Sequence, residues 1–319
     1  MRAAIIGARW PDVELERGIL GLSDDEIARD PGATREEILS AASDAEVILA
    51  GPRPLFDAAT IDGLRCRGIV RYGAGYDNVD VAAARQSGIE VAYVPDYGTE
   101  AVALHAVSLA LALLRRLPEA DRQVRAGGWD LAPLKPLHLP SVLTVGIVGF
   151  GRIGRRSAEL FAGLGFGRIL GYDDRIEVDA PPVEAAPLET VLAESDIVSM
   201  HASGARDGTP VIERKEIDLF RPGSILVNTA RGSLIDSEAL VSGLRANRPA
   251  AAALDVFDPE PADPGRFAEV IDQIIMTPHM AWYTEETERE LRTKTAQEAK
   301  RVLDGKPVLH PVAAPEVPS

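Results

Sequence analysis

Arg231, Glu260 and His279 are the residues whose types, taken together, could do chemistry in this chain. Each follows a short apolar run that reads as a strand: SILVNTA before Arg231, AAALDVFDP before Glu260 and QIIMTP before His279. A fourth candidate, His201, follows DIVSM in the same way. Polar residues collect at strand ends because the chain meets solvent there, and a lone histidine in such a place is more often structural. An arginine, a carboxylate and an imidazole arriving on successive strand ends ask for a shared task. Reduction of a 2-keto acid needs all three types. Hydride delivered to the ketone carbon leaves charge on oxygen, which a positioned acid must neutralise, and imidazole is suited to that near neutral pH. A carboxylate on its other ring nitrogen fixes the tautomer and favours the protonated ring. A guanidinium fork can pair with the substrate carboxylate and polarise the adjacent carbonyl. In the reverse direction His279 is the base.

Such a reaction needs a hydride donor, and TVGIVGFGRIGRRSAELF has the pattern that binds one. Gly149, Gly151 and Gly154 form G-x-G-x-x-G directly after a strand and directly before a helix. The first glycine permits the tight turn, the second lets a pyrophosphate approach the backbone, and the third allows helix and strand to pack closely. The next strand, RILGYD, ends in Asp173, where a carboxylate can accept hydrogen bonds from both hydroxyls of an adenosine ribose. Asp173 and Asp174 would repel a 2′-phosphate, which favours NAD over NADP, while Arg175 next door keeps NADP open. A glycine turn without ligand is the bland alternative.

The elements that must position these residues follow from an alternation of β-rich runs and helix-compatible stretches. AAIIG, EVILA, GIVRYGAG and IEVAYVP form one group of strands; LTVGIVGFG, RILGYD, DIVSMHA, SILVNTA, AAALDVF and QIIMTPH form a second. Two groups predict an α/β protein with two doubly wound parallel-sheet domains, the second a Rossmann cofactor domain. VALHAVSLALALLRRL, residues 102–117, reads as a helix with Thr99 and Glu100 as capping residues and Pro118 as its end. It is apolar nearly all round and is expected to be buried, between the domains or against a partner subunit.

Composition narrows the function classes. The formal charge of −15 opposes non-specific nucleic-acid binding, and no run of Lys and Arg offsets it. No apolar stretch is long enough to cross a bilayer, and MRAAIIGARW lacks the form of a signal peptide, so a cytoplasmic location is expected. Cys66 is the single cysteine, which excludes an internal disulfide and any cysteine-rich metal site; no metal is expected. Residues 314–319, APEVPS, are expected to fray.

These residues resemble the D-isomer-specific 2-hydroxyacid dehydrogenases. The resemblance runs from GAGYDNVD at 73–80, through VGFGRIG at 148–154 and NTARGSLID at 228–236, to LDVFDPEP at 254–261 and TPHMAW at 277–282. It implies the same Arg231, Glu260 and His279 constellation. For NAD it implies the VGFGRIG turn, with Arg152 and Ile153, together with Asp173, His201, Thr229, Ala230 and Asp255. His201 would line the cofactor site without reacting. The resemblance further implies a flavodoxin-like substrate domain at 1–99, completed by 285–319, and a cofactor domain at 100–284, with the cleft between domains. Backbone amides of the loop from Tyr72 through Gly73 and Ala74 to Gly75 would meet the substrate carboxylate. A homodimer formed through the cofactor domain is also implied.

RYGAGYDNVD and PHMAWYTEE look most like the branch containing the C-terminal-binding protein corepressors. In that branch an arginine matching Arg71 and a tryptophan matching Trp282 line the substrate pocket. Arg71 thus becomes a candidate carboxylate ligand, against a solvated loop arginine, and Trp282 a candidate apolar wall, against a packing aromatic. Arg53, in AGPRPLF, is a candidate for an extra anionic group, while Tyr97 and His105 are expected to pack. After SMH the family continues with a Pro-Leu-Thr type segment, whereas this chain reads ASGARDGTP, residues 202–210, which leaves that pocket wall open. The corepressor likeness also raises a second reading, an NAD(H)-sensing scaffold with residual catalysis.

Overall fold

The computed structural model describes residues 1–203 and 208–312, and the chain divides into two compact units. One comprises Met1–Gly98 with the chain from Thr284 onward, the other Thr99–Tyr283.

In the first unit, strands β1 (Ala3–Ile6), β2 (Ile27–Asp30), β3 (Val47–Ala50), β4 (Gly68–Arg71) and β5 (Glu90–Ala92) alternate with helices α1 (Glu14–Leu20), α2 (Arg35–Ala42), α3 (Ala58–Asp62) and α4 (Val81–Gln86). The sheet is parallel with order β2-β1-β3-β4-β5, the doubly wound flavodoxin-like arrangement. β1 and β3 are buried on both faces, which is why they read as unbroken apolar runs. α2 starts where Thr34 accepts from the Glu37 backbone N–H and the Glu37 carboxylate accepts from the Thr34 N–H, a reciprocal cap on exposed donors. Cys66 lies within this unit's core, and burial pushes its thiol up to about 12, so it is an inert packing group.

The second unit opens with α5 (Thr99–Leu114) and α6 (Leu117–Arg125). Here the expectation from sequence needs correcting: the long helix ends before Pro118, and Pro118 lies in the first turn of the next helix, bent 56° from α5. Proline is tolerated in a first turn because its missing N–H would have no intrahelical acceptor there. The inward side of α5 carries buried Ala103, Ala106, Val107 and Ala110, small enough for close approach to the helix of the glycine turn. Among the described residues no single helix is long and apolar enough to cross a membrane.

The sheet of this unit follows as β6 (Thr144–Val148), α7 (Arg152–Gly163), β7 (Arg168–Tyr172), β8 (Val183–Ala185), α8 (Leu188–Glu194), β9 (Ile197–Met200), α9 (Arg214–Leu219), β10 (Ile225–Asn228), α10 (Ser237–Arg245), β11 (Ala251–Leu254) and β12 (Ile274–Met276). All pairings are parallel, in the order β12-β11-β10-β9-β6-β7-β8. Strand order reverses between β6 and β9, and ligands of such sheets bind beyond the carboxyl ends near that point. Its two faces form separate cores: Val145 and Ile147 pack with α5 residues, Val148 with Val198, Met200 and Leu226. The chain returns to the first unit with α11 (Glu285–Leu303), whose N-cap Thr284 accepts from the Thr287 N–H. α11 packs on α1, β3 and β4.

Candidate active site

The catalytic candidates come from the carboxyl ends of three adjacent strands, β10, β11 and β12. His279 Nδ1 lies 2.9 and 3.0 Å from the two carboxylate oxygens of Glu260. An ionised carboxylate only accepts, so Nδ1 is the donor and Nε2 is left for other partners. The imidazole is 44% exposed and the Glu260 carboxylate 38%, as a group that must meet a substrate has to be.

The loop that carries His279 is held from behind. His279 has φ 52°, a left-handed conformation uncommon for any residue but glycine. Asp255, fully buried at the end of β11, supplies the restraint. Its Oδ1 accepts from the Thr277 hydroxyl at 2.6 Å and the Met280 N–H at 2.9 Å, its Oδ2 from the Ala281 N–H at 2.9 Å. The Asp255 carbonyl accepts from the His279 N–H at 2.8 Å. His105 of α5 adds a contact of 3.2 Å to the Thr277 hydroxyl, so it braces the same loop. The carboxylate of Asp255, expected at the cofactor, is thus committed to the 277–281 loop.

Arg231 is fixed by a buried asparagine that residue type alone does not single out. Asn228 Nδ2 donates to the Arg231 carbonyl at 2.8 Å, and Asn228 Oδ1 accepts from the Ala230 N–H at 3.0 Å. Gly232 then passes so close to the neighbouring loop that a Cβ would lie 2.0 Å from the carbonyl carbon of Phe257. The loops bearing Arg231 and Glu260 are therefore in backbone contact. Arg231 Nη1 donates to the Ala230 carbonyl at 2.8 Å.

Whether the glycine turn suits a dinucleotide can be asked of the space around it. A Cβ at Gly149 would meet the Ala202 nitrogen at 2.3 Å, and one at Gly154 the Gly149 carbonyl oxygen at 2.0 Å; a Cβ at Gly151 would meet nothing within 4 Å. The outer two glycines serve packing, and the middle one opens a cradle at the start of α7 that a side chain would fill. Arg152 and Ile153 form the first turn of that helix. Asp173, at the end of β7, accepts from the N–H groups of Phe150, Arg175 and Ile176, which fix its side chain beside the turn. Beyond it lies a cleft of about 320 Å³ lined by Tyr172, Asp173, Ile176 and Pro187. Thr229 is buried at the end of β10 and its hydroxyl has no partner among the described residues, an unmet group in the wall of a candidate cofactor site. His201 contacts the Ser199 hydroxyl at 2.9 Å, and burial pushes its imidazolium down to about 4, so it is neutral at physiological pH. These residues fit a nicotinamide dinucleotide.

The remaining candidates of the first unit gather after β4. Arg71 Nε donates to Asn78 Oδ1 at 3.2 Å, and Asn78 Nδ2 donates to the carbonyls of Gly51 and Pro54 in the loop that carries Arg53. Gly73 has φ 124°, and the backbone N–H groups of Gly73, Ala74 and Gly75 donate to no acceptor among the described residues. Successive unmet N–H groups form an anion-binding concavity. The Tyr72 side chain points inward and is 3% exposed, so only its backbone belongs to that concavity. Trp282, at the end of the second unit, meets Tyr283 edge-on at 5.6 Å. Residues 204–207 of the unusual 202–210 segment lie outside the described residues.

A parallel sheet with a switch-point glycine turn and an imidazole–carboxylate pair on its carboxyl edge defines a nicotinamide-dependent dehydrogenase class. The family comparison agrees: residues 107–281 match the model of the D-isomer specific 2-hydroxyacid dehydrogenase NAD binding domain. The chain is 34% identical over 287 residues to a glyoxylate reductase of Thermofilum pendens, covering 87% of this chain and 84% of that one. It is 31% identical over 296 residues to a D-3-phosphoglycerate dehydrogenase of Archaeoglobus fulgidus, covering 92% of this chain and 56% of that one. The chain thus spans little more than half the length of that relative. Among solved structures, the TT0316 protein from Thermus thermophilus superposes with TM-score 0.88 at 30% identity, covering 98% of this chain and all of that one. This chain belongs to the D-isomer specific 2-hydroxyacid dehydrogenase family, with NAD as its cofactor.

Proposed function

We propose that this protein is an NAD-dependent oxidoreductase that interconverts a small 2-keto acid and the corresponding D-2-hydroxy acid. The observation that carries the reading is the Glu260-held imidazole of His279 on the carboxyl edge of the sheet whose glycine turn fits the cofactor. When bound, NADH supplies the hydride that the ketone carbon accepts. His279 donates a proton to the carbonyl oxygen through Nε2 and recovers one from the hydroxyl in the oxidative direction. Glu260 holds the ring by Nδ1, which fixes its tautomer and orientation. Arg231 binds the substrate carboxylate and draws electron density from the adjacent carbonyl. Arg71 and the backbone of Tyr72, Gly73 and Ala74 are further carboxylate ligands, and Trp282 is an apolar wall for the substrate side chain. Gly149, Gly151, Arg152, Ile153 and Gly154 hold the pyrophosphate, Asp173 the adenosine ribose, and His201, Thr229 and Ala230 the remainder of the cofactor. Asp255 serves the cofactor site only through the loop it braces.

The test is a panel of 2-keto acids with NADH. Turnover of at least one of them supports the reading. Tight NADH binding with no acid reduced would instead favour the scaffold reading that the likeness of RYGAGYDNVD and PHMAWYTEE to the corepressor branch suggests. We further propose a homodimer through residues 117–142, where Leu117, Val124, Trp129, Leu131, Leu139 and Val142 are exposed, Trp129 at 89%. Light scattering checks it: the wild type runs as a dimer, and a Trp129→Glu, Leu139→Glu variant as a monomer.

A further inference from the structure

Tyr72 opens the anion-binding loop, and its buried hydroxyl donates to Glu16 Oε1 at 3.2 Å. Glu16, on α1, is itself fully buried. It is gripped by Arg292 of α11, whose Nε donates to Oε1 and Nη2 to Oε2, both at 2.9 Å. The same guanidinium donates to the Asp12 carbonyl at 3.1 Å and lies 5.1 Å from the ring centre of Trp10. Trp10 in turn meets Tyr72 edge-on at 4.6 Å. Arg29 donates to the Trp10 and Pro11 carbonyls and so fixes the strand-end loop that carries the indole. Four segments of the first unit, the loop after β1, α1, the loop after β4, and α11, close on one buried ring of contacts.

Stability is a poor reason for such a cluster. Desolvating two charges costs about what their attraction returns, and apolar residues of similar volume often serve as well or better. The indole N–H of Trp10 is also buried with no acceptor among the described residues, a further cost to stability. What a forked ion pair provides beyond an apolar contact is direction. Glu16 has two oxygens held by one rigid fork, so the phenol that donates to Oε1 has one place to be. Tyr72 is also the residue whose N–H donates to the Ala50 carbonyl at 2.9 Å, and Gly73, next along, accepts from the Val94 N–H at 3.1 Å. With the side chain pinned below and these two backbone bonds at its sides, the turn from Tyr72 to Gly75 is set. Its unmet N–H groups keep one orientation.

We propose that Glu16 and Arg292 are positioning residues for the substrate: their buried pair holds Tyr72 and thereby aims the backbone N–H groups of Gly73–Gly75 at the substrate carboxylate. The inference rests on the assignment of that loop to the substrate made above. It makes the KM for the keto acid depend on residues that touch neither substrate nor cofactor.

The test uses the full chain with Arg292→Lys, Glu16→Gln and Tyr72→Phe, glyoxylate as probe substrate and NADH as cofactor. Loss of a hydrogen bond to a charged group should raise the KM for glyoxylate by about tenfold, with the effect on KM larger than that on kcat. The NADH Kd should stay within about twofold, because these residues belong to the first unit and the glycine turn to the second. Lys at 292 keeps the charge but not the fork, so its effect should fall below that of Glu16→Gln. Amide hydrogen exchange gives a readout independent of turnover: the Tyr72 and Val94 N–H groups should exchange faster in Tyr72→Phe than in wild type. If Tyr72→Phe folds with wild-type KM and wild-type exchange at Tyr72 and Val94, the proposal is overturned. If the wild type itself reduces no keto acid, the functional reading fails, and the exchange result alone decides whether the ion pair orders the loop.

Discussion

Replacing Asp255 by asparagine is the most informative single change outside the reacting groups. The carboxylate is fully buried and accepts three hydrogen bonds, from Thr277 Oγ1 and the N–H groups of Met280 and Ala281. An amide of the same shape has one oxygen. Whichever way it is turned, its NH₂ must face at least one backbone N–H that had an acceptor, and that donor cannot reach water. The lost charge-assisted bond and the stranded donor together cost roughly 2–4 kcal/mol. The unit it sits in spans Thr99–Tyr283, and for a domain of this size such a loss lowers the Tm by about 5–15 °C. The larger effect should be kinetic. The stranded N–H groups directly follow His279, which is held in a left-handed conformation, and displacement of an acid by about 1 Å can cost roughly 10²-fold in rate. Asp255→Asn should therefore remain folded at 25 °C, bind NADH near wild-type affinity and lose about 10–10²-fold in kcat. Steady-state kinetics beside a fluorescence titration of NADH would check this. Wild-type kcat in a folded Asp255→Asn protein would refute the bracing argument; loss of NADH binding with kcat intact would show that the carboxylate serves the cofactor directly.

Three further outcomes follow from the same geometry. Gly151→Ala should leave the melting temperature unchanged, since its Cβ meets nothing within 4 Å, but weaken NADH binding by filling the cradle, whereas Gly154→Ala, with a Cβ 2.0 Å from the Gly149 carbonyl, should destabilise the fold; paired melting curves and titrations distinguish them. His201 should contribute to acid sensitivity. Its folded pKa is about 4 against an ordinary 6.5, so the unfolded chain binds the proton first, and stability is fully present above pH 6.5 and lost as pH falls toward 4. The contribution is at most about 3 kcal/mol, and His201→Asn should flatten that part of the stability profile in urea titrations at stepped pH. Glu260→Gln keeps an acceptor near His279 but removes the charge, and should lower kcat/KM by about tenfold without changing NADH affinity.

Three of the strands that carry chemistry were legible because they are buried on both faces. β6, β9 and β10 read as continuous apolar runs ending in glycine or a polar residue, and that pattern placed Gly149, His201 and Arg231 at carboxyl ends. β2 and β8 were not legible, and both are edge strands with no fully buried residue, so IARD and VEA carry no apolar signature. Pro118 reads in the sequence as a helix end because proline breaks helices. That it starts α6 depends on the bend at Arg116, which adopts a left-handed φ of 50°. The site shows the same division. Residue types and spacing pointed to His279 and Glu260, whose 2.9 Å contact needs only adjacent strands. The roles of Asp255 and Asn228 depend on which backbone N–H groups converge on them, and Glu16 and Arg292 are 276 residues apart in sequence. Partners at such separations leave no local pattern to read.

Under the proposed function, proton handling by His279 is separable from cofactor binding at the glycine turn. This separation is tested most directly by His279→Ala, with single-turnover reduction of a keto acid and NADH affinity measured on the same preparation. The NADH Kd should stay close to wild type and turnover fall by about 10²-fold or more. Turnover within a few-fold of wild type, or cofactor binding lost along with turnover, would overturn the role given to His279.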